Sequence, residues 1–152
     1  MDPNGVSLPR FAVGHSGRGA VVAVVALVGW ALVARCVHRV VVRGGSMAPT
    51  LLDGDRLVVL SRPWGDRVRP APGDVVAVSD PRDPVRVLVK RVASVDRSTG
   101  TLEVRGDAPD ASTDSRDFGP VPLASVVGRV VHRYGPPGRT GPVGRPTEYH
   151  RA

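Results

Sequence analysis

Lysine is almost missing from this chain of 152 residues: of 21 basic side chains, 20 are arginine and one, Lys90, is lysine. Cysteine is equally scarce, and the single Cys36 excludes a disulfide framework or a cysteine zinc site within one chain. Aromatic residues make up only 4% of the sequence, so few faces are available to stack on bases. The formal charge of +7 and the pI near 11.1 could suggest nucleic acid, but the arginines are scattered and form no basic helix. No nucleic-acid partner is therefore expected, and attraction to an anionic membrane surface accounts for the charge more simply. Nothing repeats at a fixed period, and long helix-forming stretches are few. What the chain does have is valine, with 18 glycines and 15 prolines, about a fifth of all residues. That composition predicts an all-β body broken by turns.

The organisation follows from the apolar runs. Residues 1–19 are polar and aperiodic and read as a flexible arm. Residues 20–34 (AVVAVVALVGWALVA) are wholly apolar. That is shorter than the ~17–25 residues of a spanning helix and at the top of a signal peptide's apolar region. Arg35 and Arg39 lie one helical turn apart and can snorkel, letting Cys36 and Val37 extend the run, while Trp30 suits an interface. The end Ala31–Ala34 is a poor A-x-A cleavage site. The expectation is a membrane anchor over 20–39, with a cleaved signal peptide or a soluble core helix as the other readings. From Val40 onward, short runs at 40–42, 56–60, 74–78, 86–92, 102–105 and 125–132 read as strands. Turns at Pro63-Trp64-Gly65, 70–73, 80–84 and 97–100 separate them. These strands predict a small sandwich or barrel-like β domain over 40–134. Residues 135–152, rich in Gly, Pro and Arg, read as a disordered tail.

Two residues carry candidate chemistry. Ser46 is one of ten serines, so its setting must single it out. Gly44 and Gly45 can turn the chain sharply at a strand end, and Pro49 stiffens the exit. Such a turn could expose the hydroxyl and aim the Ser46 backbone N–H at a developing oxyanion. On the tripeptide alone, an ordinary solvated turn is the better reading. Lys90 shifts that balance. A chain so biased toward arginine uses lysine where a group must lose its proton, which arginine effectively never does. Alternation puts Lys90 on one face with Leu88 and Val92, where desolvation disfavours the ammonium at about 1.4 kcal/mol per pKa unit. A neutral amine beside Ser46 could act as its base. A strand-end lysine with its ammonium in solvent is the competing reading. The four histidines compete poorly: His15, His38 and His150 fall in the arm, beside the apolar run and in the tail, leaving only His132 for a triad. No metal-ligand spacing appears.

Three ordered motifs carry a resemblance. Gly45-Ser46-Met47-Ala48-Pro49-Thr50-Leu51 with Gly54-Asp55, then Val89-Lys90-Arg91-Val92, then Gly106–Val121 together resemble the type I signal peptidases. The similarity runs over residues ~20–132 in one order. It implies a compact signal-peptidase-like and LexA-like β catalytic domain behind one N-terminal transmembrane helix. In that pattern Ser46 is the nucleophile and supplies an oxyanion N–H, Lys90 is the general base, Ser112 orients the lysine, and Asp114 and Arg116 form a supporting ion pair. It implies no cofactor. It also implies a single pass through the plasma membrane, an extracytoplasmic body resting on lipid, and exported precursors cut after small residues at −3 and −1.

The sequence departs from the family in places. Gly44 stands where some members have a serine that assists the oxyanion hole, and Ala108-Pro109 replaces the asparagine usual after Gly-Asp. The stretch from Val92 to Gly106 is one short hairpin, so the second β domain of longer members is missing. Three other readings stand beside a general signal peptidase. One is a dedicated maturation peptidase, such as those acting on nickel superoxide dismutase precursors. Another is a LexA-like self-cleaving protein, which would need a DNA-binding module. The last is a non-catalytic, membrane-tethered basic domain binding lipid or partner proteins.

Overall fold

The computed structural model describes residues 16–61 and 70–143. Residues 1–15 of the arm expected over 1–19, the Pro63-Trp64-Gly65 turn and residues 144–152 of the expected tail lie outside the described residues, while residues 16–19 of that arm are helical. The chain divides into two compact units, residues 1–33 and 34–152.

The first unit is dominated by helix α1, Ser16–Arg35, which carries the apolar run. Its described side chains, residues 19–31, are all exposed, Trp30 among them. Among the described residues, no helix is long and apolar enough to cross a membrane. The anchor expected over 20–39 also ends early: Val37, His38 and Arg39 pair with Leu60, Val59 and Val58 as part of a strand. Valine is β-branched and fits a pleated strand as readily as it fills an apolar helix, so the run alone does not mark where one gives way to the other.

The second unit is antiparallel β. Its strands are β1 (Val37–Val41), β2 (Arg56–Leu60), β3 (Val75–Asp80), β4 (Asp83–Asp96), β5 (Thr101–Arg105), β6 (Val121–Pro122), β7 (Val126–Gly135) and β8 (Gly141–Pro142). They form one sheet in the order β1-β2-β7-β3-β4-β5-β6, with β8 added to β7. A four-residue helix, α2 (Ser115–Phe118), follows β5. The tail expected from Gly135 is therefore partly folded. Gly141 and Pro142 pair with Arg133 and His132, and the Val143 N–H reaches Val131 O at 3.2 Å.

Strand β3 lies between two cores. Val75 and Ala77 pack with Val42, Met47, Leu51, Leu57, Val59 and Val130. Val76 and Val78 point the other way and pack with Leu88, Val92, Leu102, Val104 and Val121. A strand buried on both faces reads as a continuous apolar run, as Val75-Val76-Ala77-Val78 does. In the β3–β4 register, Val76 faces Lys90 and Val78 faces Leu88. Directly opposed residues share a face, so Lys90 projects from the second core's side, as alternation predicted. Strand β4 is longer than expected: its residues 91–96 pair with β5, while residues 83–90 pair only with β3 among the described residues. Pro84, which cannot donate to a ladder, sits in that half-paired section.

Candidate functional site

The loop between β1 and β2 presents Ser46. Its ends are closed by the Val42 N–H to Asp55 O bond at 2.8 Å and the Gly54 N–H to Val42 O bond at 3.0 Å. Gly44 takes a positive φ of 83°, a region that favours glycine, and its N–H donates to Asp53 Oδ1 at 2.7 Å. Gly45 does not share that conformation, so one glycine makes the turn rather than the expected two. Met47 and Leu51, both buried, sink into the first core on either side of a tight turn closed by Leu51 N–H to Met47 O at 2.8 Å. Pro49 is exposed, and the Ala48–Pro49 peptide is cis. With its neighbours anchored, Ser46 stays half-buried, and its backbone N–H and Oγ make no hydrogen bond among the described residues.

The far wall holds the lysine. Lys90 is 3% exposed, and its Nζ donates to Ser112 Oγ at 2.9 Å. Ser112 in turn donates to Asp114 Oδ2 at 2.8 Å. Asp114 is fully buried and also accepts from the Gly106 N–H at 2.9 Å and from Arg116 Nε and NH2 at 2.9 and 2.7 Å. The same carboxylate caps α2, with Asp117 closing the capping box. Burial lowers the Lys90 pKa below its ordinary 10.5; Asp114 pulls it back up, and Arg86, Arg116 and Arg82 push it down. Burial works to raise the Asp114 pKa, but the Arg116 guanidinium, the Gly106 N–H and the Ser112 hydroxyl hold it far below the usual carboxylate range. Asp114 therefore stays charged and orients Ser112, which fixes the lysine amine.

Ser46 and Lys90 line one cleft of about 400 Å³, together with residues 40–45, 86–89, Ala111 and Thr113. Two features bring the Ser46 loop and the Ser112 segment together. The Ser46 carbonyl accepts from the Ala108 N–H at 3.1 Å. Gly106 leaves room for both sides: a Cβ there would fall 2.2 Å from Ser112 Oγ and 2.5 Å from Ser46 O. At Ala108, where the family places asparagine, the backbone N–H makes the link and no side-chain amide is needed for it.

Sequence reasoning missed a second brace. Buried Arg91 forms a two-pronged pair with Asp107 (Nε–Oδ1 2.8 Å, NH2–Oδ2 2.6 Å) and donates to Gly73 O at 2.9 Å and Thr50 Oγ1 at 3.4 Å. It joins the strand carrying Lys90 to the loop carrying Ser46. The alternation of β4 gave no hint of it, because Arg91 would be assigned to the opposite face from Lys90. Asp55 is a further anchor, accepting from Leu52 N–H at 2.9 Å and pairing with Arg133 and Arg139 at 3.3 and 3.2 Å. His38 and His132 are exposed on β1 and β7 and do not line the cleft. His15 and His150 lie outside the described residues.

An all-β body that brings a turn serine and a buried, oriented lysine to one cleft defines a class of candidate Ser–Lys hydrolases. Comparison with known proteins makes the kinship specific. Residues 17–96 match the family described as signal peptidase, peptidase S26. An Arabidopsis thaliana mitochondrial ATP-independent inner membrane protease subunit 1a is 39% identical over 119 residues, covering 63% of this chain and 69% of the relative. Subunit 1b from the same plant is 31% identical over 121 residues, 66% of this chain and 72% of the relative. Mitochondrial inner membrane protease subunit 2 of Danio rerio is 35% identical over 117 residues, 64% of each chain. This chain belongs to the signal peptidase S26 family. The matched segment includes Ser46 and Lys90 and stops before Ser112–Arg116.

Proposed function

We propose that the chain is a membrane-tethered serine endopeptidase that removes leader peptides from exported precursors, with Ser46 as nucleophile and Lys90 as general base. The observation that carries this reading is the Lys90 amine, buried in the Ser46 cleft and aimed by a Ser112–Asp114–Arg116 relay. Lys90 in its neutral form takes the Ser46 Oγ proton as the oxygen attacks the scissile carbonyl. The backbone N–H of Ser46, which makes no hydrogen bond among the described residues, donates to the carbonyl oxygen as it becomes negative, a contribution worth about 3 kcal/mol of barrier for one such donor. As the intermediate collapses, the lysine ammonium returns its proton to the leaving amine and is neutral again. It then deprotonates the water that releases the acyl group. Ser112 keeps Nζ in place through both transfers and stays outside the bond changes.

The substrate backbone is held by strand edges. Residues 40–42 and 86–89 both line the cleft, and residues 83–90 of β4 have one partner strand among the described residues. An extended peptide can hydrogen-bond along such an edge. The valines of those walls leave space for small apolar side chains, in keeping with cleavage after small residues at −3 and −1. Membrane tethering rests on the apolar residues 20–34 and on exposed Val37, Val41, Val85 and Val87 on the β body. The body faces the extracytoplasmic side of a plasma membrane, where exported precursors emerge. The named relatives are inner membrane protease subunits, a comparable setting.

The test is cleavage of a precursor ending in A-x-A by the full chain in detergent. Ser46→Ala and Lys90→Arg each abolish product, while replacing all four histidines leaves it. Processing by Lys90→Arg would sink the Ser–Lys mechanism, because arginine cannot serve as the base. Parallel incubation with a nickel superoxide dismutase precursor separates general from dedicated processing. Release of the chain from membranes by carbonate contradicts the tether.

A further inference from the structure

Among the described residues the cleft shared by Ser46 and Lys90 is lined by no acidic side chain, yet Arg43, Arg82 and Arg86 all reach it. The two arginines on the Lys90 wall differ in how far they are committed. Arg82 is fixed by Asp80 through Nε at 3.0 Å and NH2 at 2.9 Å, and lies 5.4 Å over the Phe118 ring. Arg86 reaches the same carboxylate only at 4.0 Å, and its side chain is 64% exposed. One buried carboxylate thus serves two guanidinium groups, and Arg86 keeps most of its donors turned to the cleft and solvent. Its positive field extends to Lys90, whose pKa it helps to lower.

Position makes this charge selective. Arg86, Leu88 and Lys90 alternate along β4 and so issue from one face of the strand. Four residues at about 3.4 Å each separate Arg86 from Lys90 by roughly 14 Å. A peptide seated along residues 83–90 has the same spacing, so a side chain about four positions from the scissile bond comes opposite Arg86. We propose that Arg86 is a specificity-determining residue that favours substrates with a carboxylate side chain three to five positions, in round numbers, from the cut. The proposal rests on reading the cleft as a peptidase site.

The experiment uses the full chain in detergent and an A-x-A peptide without other charges near the cut. A single Asp is walked through about six positions on each side, with Asn at the same place as reference. The ratio of kcat/KM for Asp over Asn is read on one enzyme at one pH, so any change in Lys90 protonation cancels. At one position, about four residues from the cut, the ratio rises to roughly five, as a partly exposed ion pair allows. It falls toward one in about 0.5 M salt and in Arg86→Gln. A flat ratio at every position overturns the assignment, as does a raised ratio that survives Arg86→Gln or disappears only in Arg43→Gln. Ser46-dependent cleavage with a flat ratio overturns Arg86 alone; absence of any Ser46-dependent cleavage overturns the peptidase reading and the assignment with it.

Discussion

Gly106→Ala is the substitution that joins geometry to rate most tightly. A Cβ at this position would stand 2.2 Å from Ser112 Oγ and 2.5 Å from Ser46 O, where real Cβ atoms keep at least 3.0 Å. The two contacts must therefore open by about 0.8 Å and 0.5 Å. Neither neighbour can yield without a consequence. Ser112 Oγ is held between Lys90 Nζ and Asp114 Oδ2, and the Ser46 carbonyl is held by the Ala108 N–H. Displacement of a reacting group by about 1 Å costs on the order of 100-fold, so kcat/KM should fall by roughly 50- to 100-fold. Gly128→Ala is the control: its Cβ would meet Leu60 O at 2.3 Å, between β2 and β7, away from Ser46 and Lys90. It should lower the melting temperature while each folded molecule keeps most of its turnover. Peptide cleavage is measured beside thermal unfolding for both variants. A folded Gly106→Ala enzyme within about three-fold of the parent would refute the reasoning, because about 100-fold follows from this displacement.

Other outcomes follow from the same contacts. Ser112→Ala removes the bond to an amine that becomes charged as it takes the Ser46 proton, a bond worth about 1.5–3 kcal/mol once charged, so kcat should drop roughly ten- to a hundred-fold. KM should barely move, since orientation of the base matters in the transition state; an unchanged kcat contradicts the assigned role. Stability should decline in acid. The folded pKa values of Asp114, Asp107 and Asp80 are all depressed, so their stabilisation is present above the ordinary carboxylate range near 4 and is lost as pH falls through the folded values. Urea midpoints at pH 7 and about pH 3 should differ, and Asp114→Asn should shrink the difference; equal midpoints in the parent contradict it. Arg91→Lys should lose the two-pronged bond to Asp107 and destabilise the domain by about 1–3 kcal/mol, measured from the same urea transitions.

Much of this was legible in the sequence, for different reasons. The strands announced themselves because β-branched runs alternate with Gly and Pro turns, and β2 fell where 56–60 predicted it. Lys90 was visible because 20 of the 21 basic residues are arginine, so a single lysine in an apolar strand stands out by itself. Ser112, Asp114 and Arg116 came from resemblance to a family motif, and the structure sets Ser112 against Lys90, Asp114 against Ser112 and Arg116 against Asp114. Pairings over long sequence separations were not legible. Arg91 with Asp107, and Asp55 with Arg133 and Arg139, depend on which loops meet in space, and nothing local encodes that. Residues 135–143 read as coil because their Gly and Pro content hides β8, whose two residues pair through backbone groups alone. Strand β1 was assigned late for a related reason: Val37 continues the apolar run, and a short valine-rich run fits helix and strand alike.

The central claim is that burial lowers the Lys90 pKa and that its neutral amine is the base. Since the chain has one lysine, lysine-selective carbon-13 labelling gives a single side-chain signal to titrate. The account predicts that the Lys90 Cε resonance titrates below 10.5 and that the acid limb of kcat/KM follows the same midpoint. Titration at or above 10.5, or a rate profile unrelated to the resonance, would contradict it.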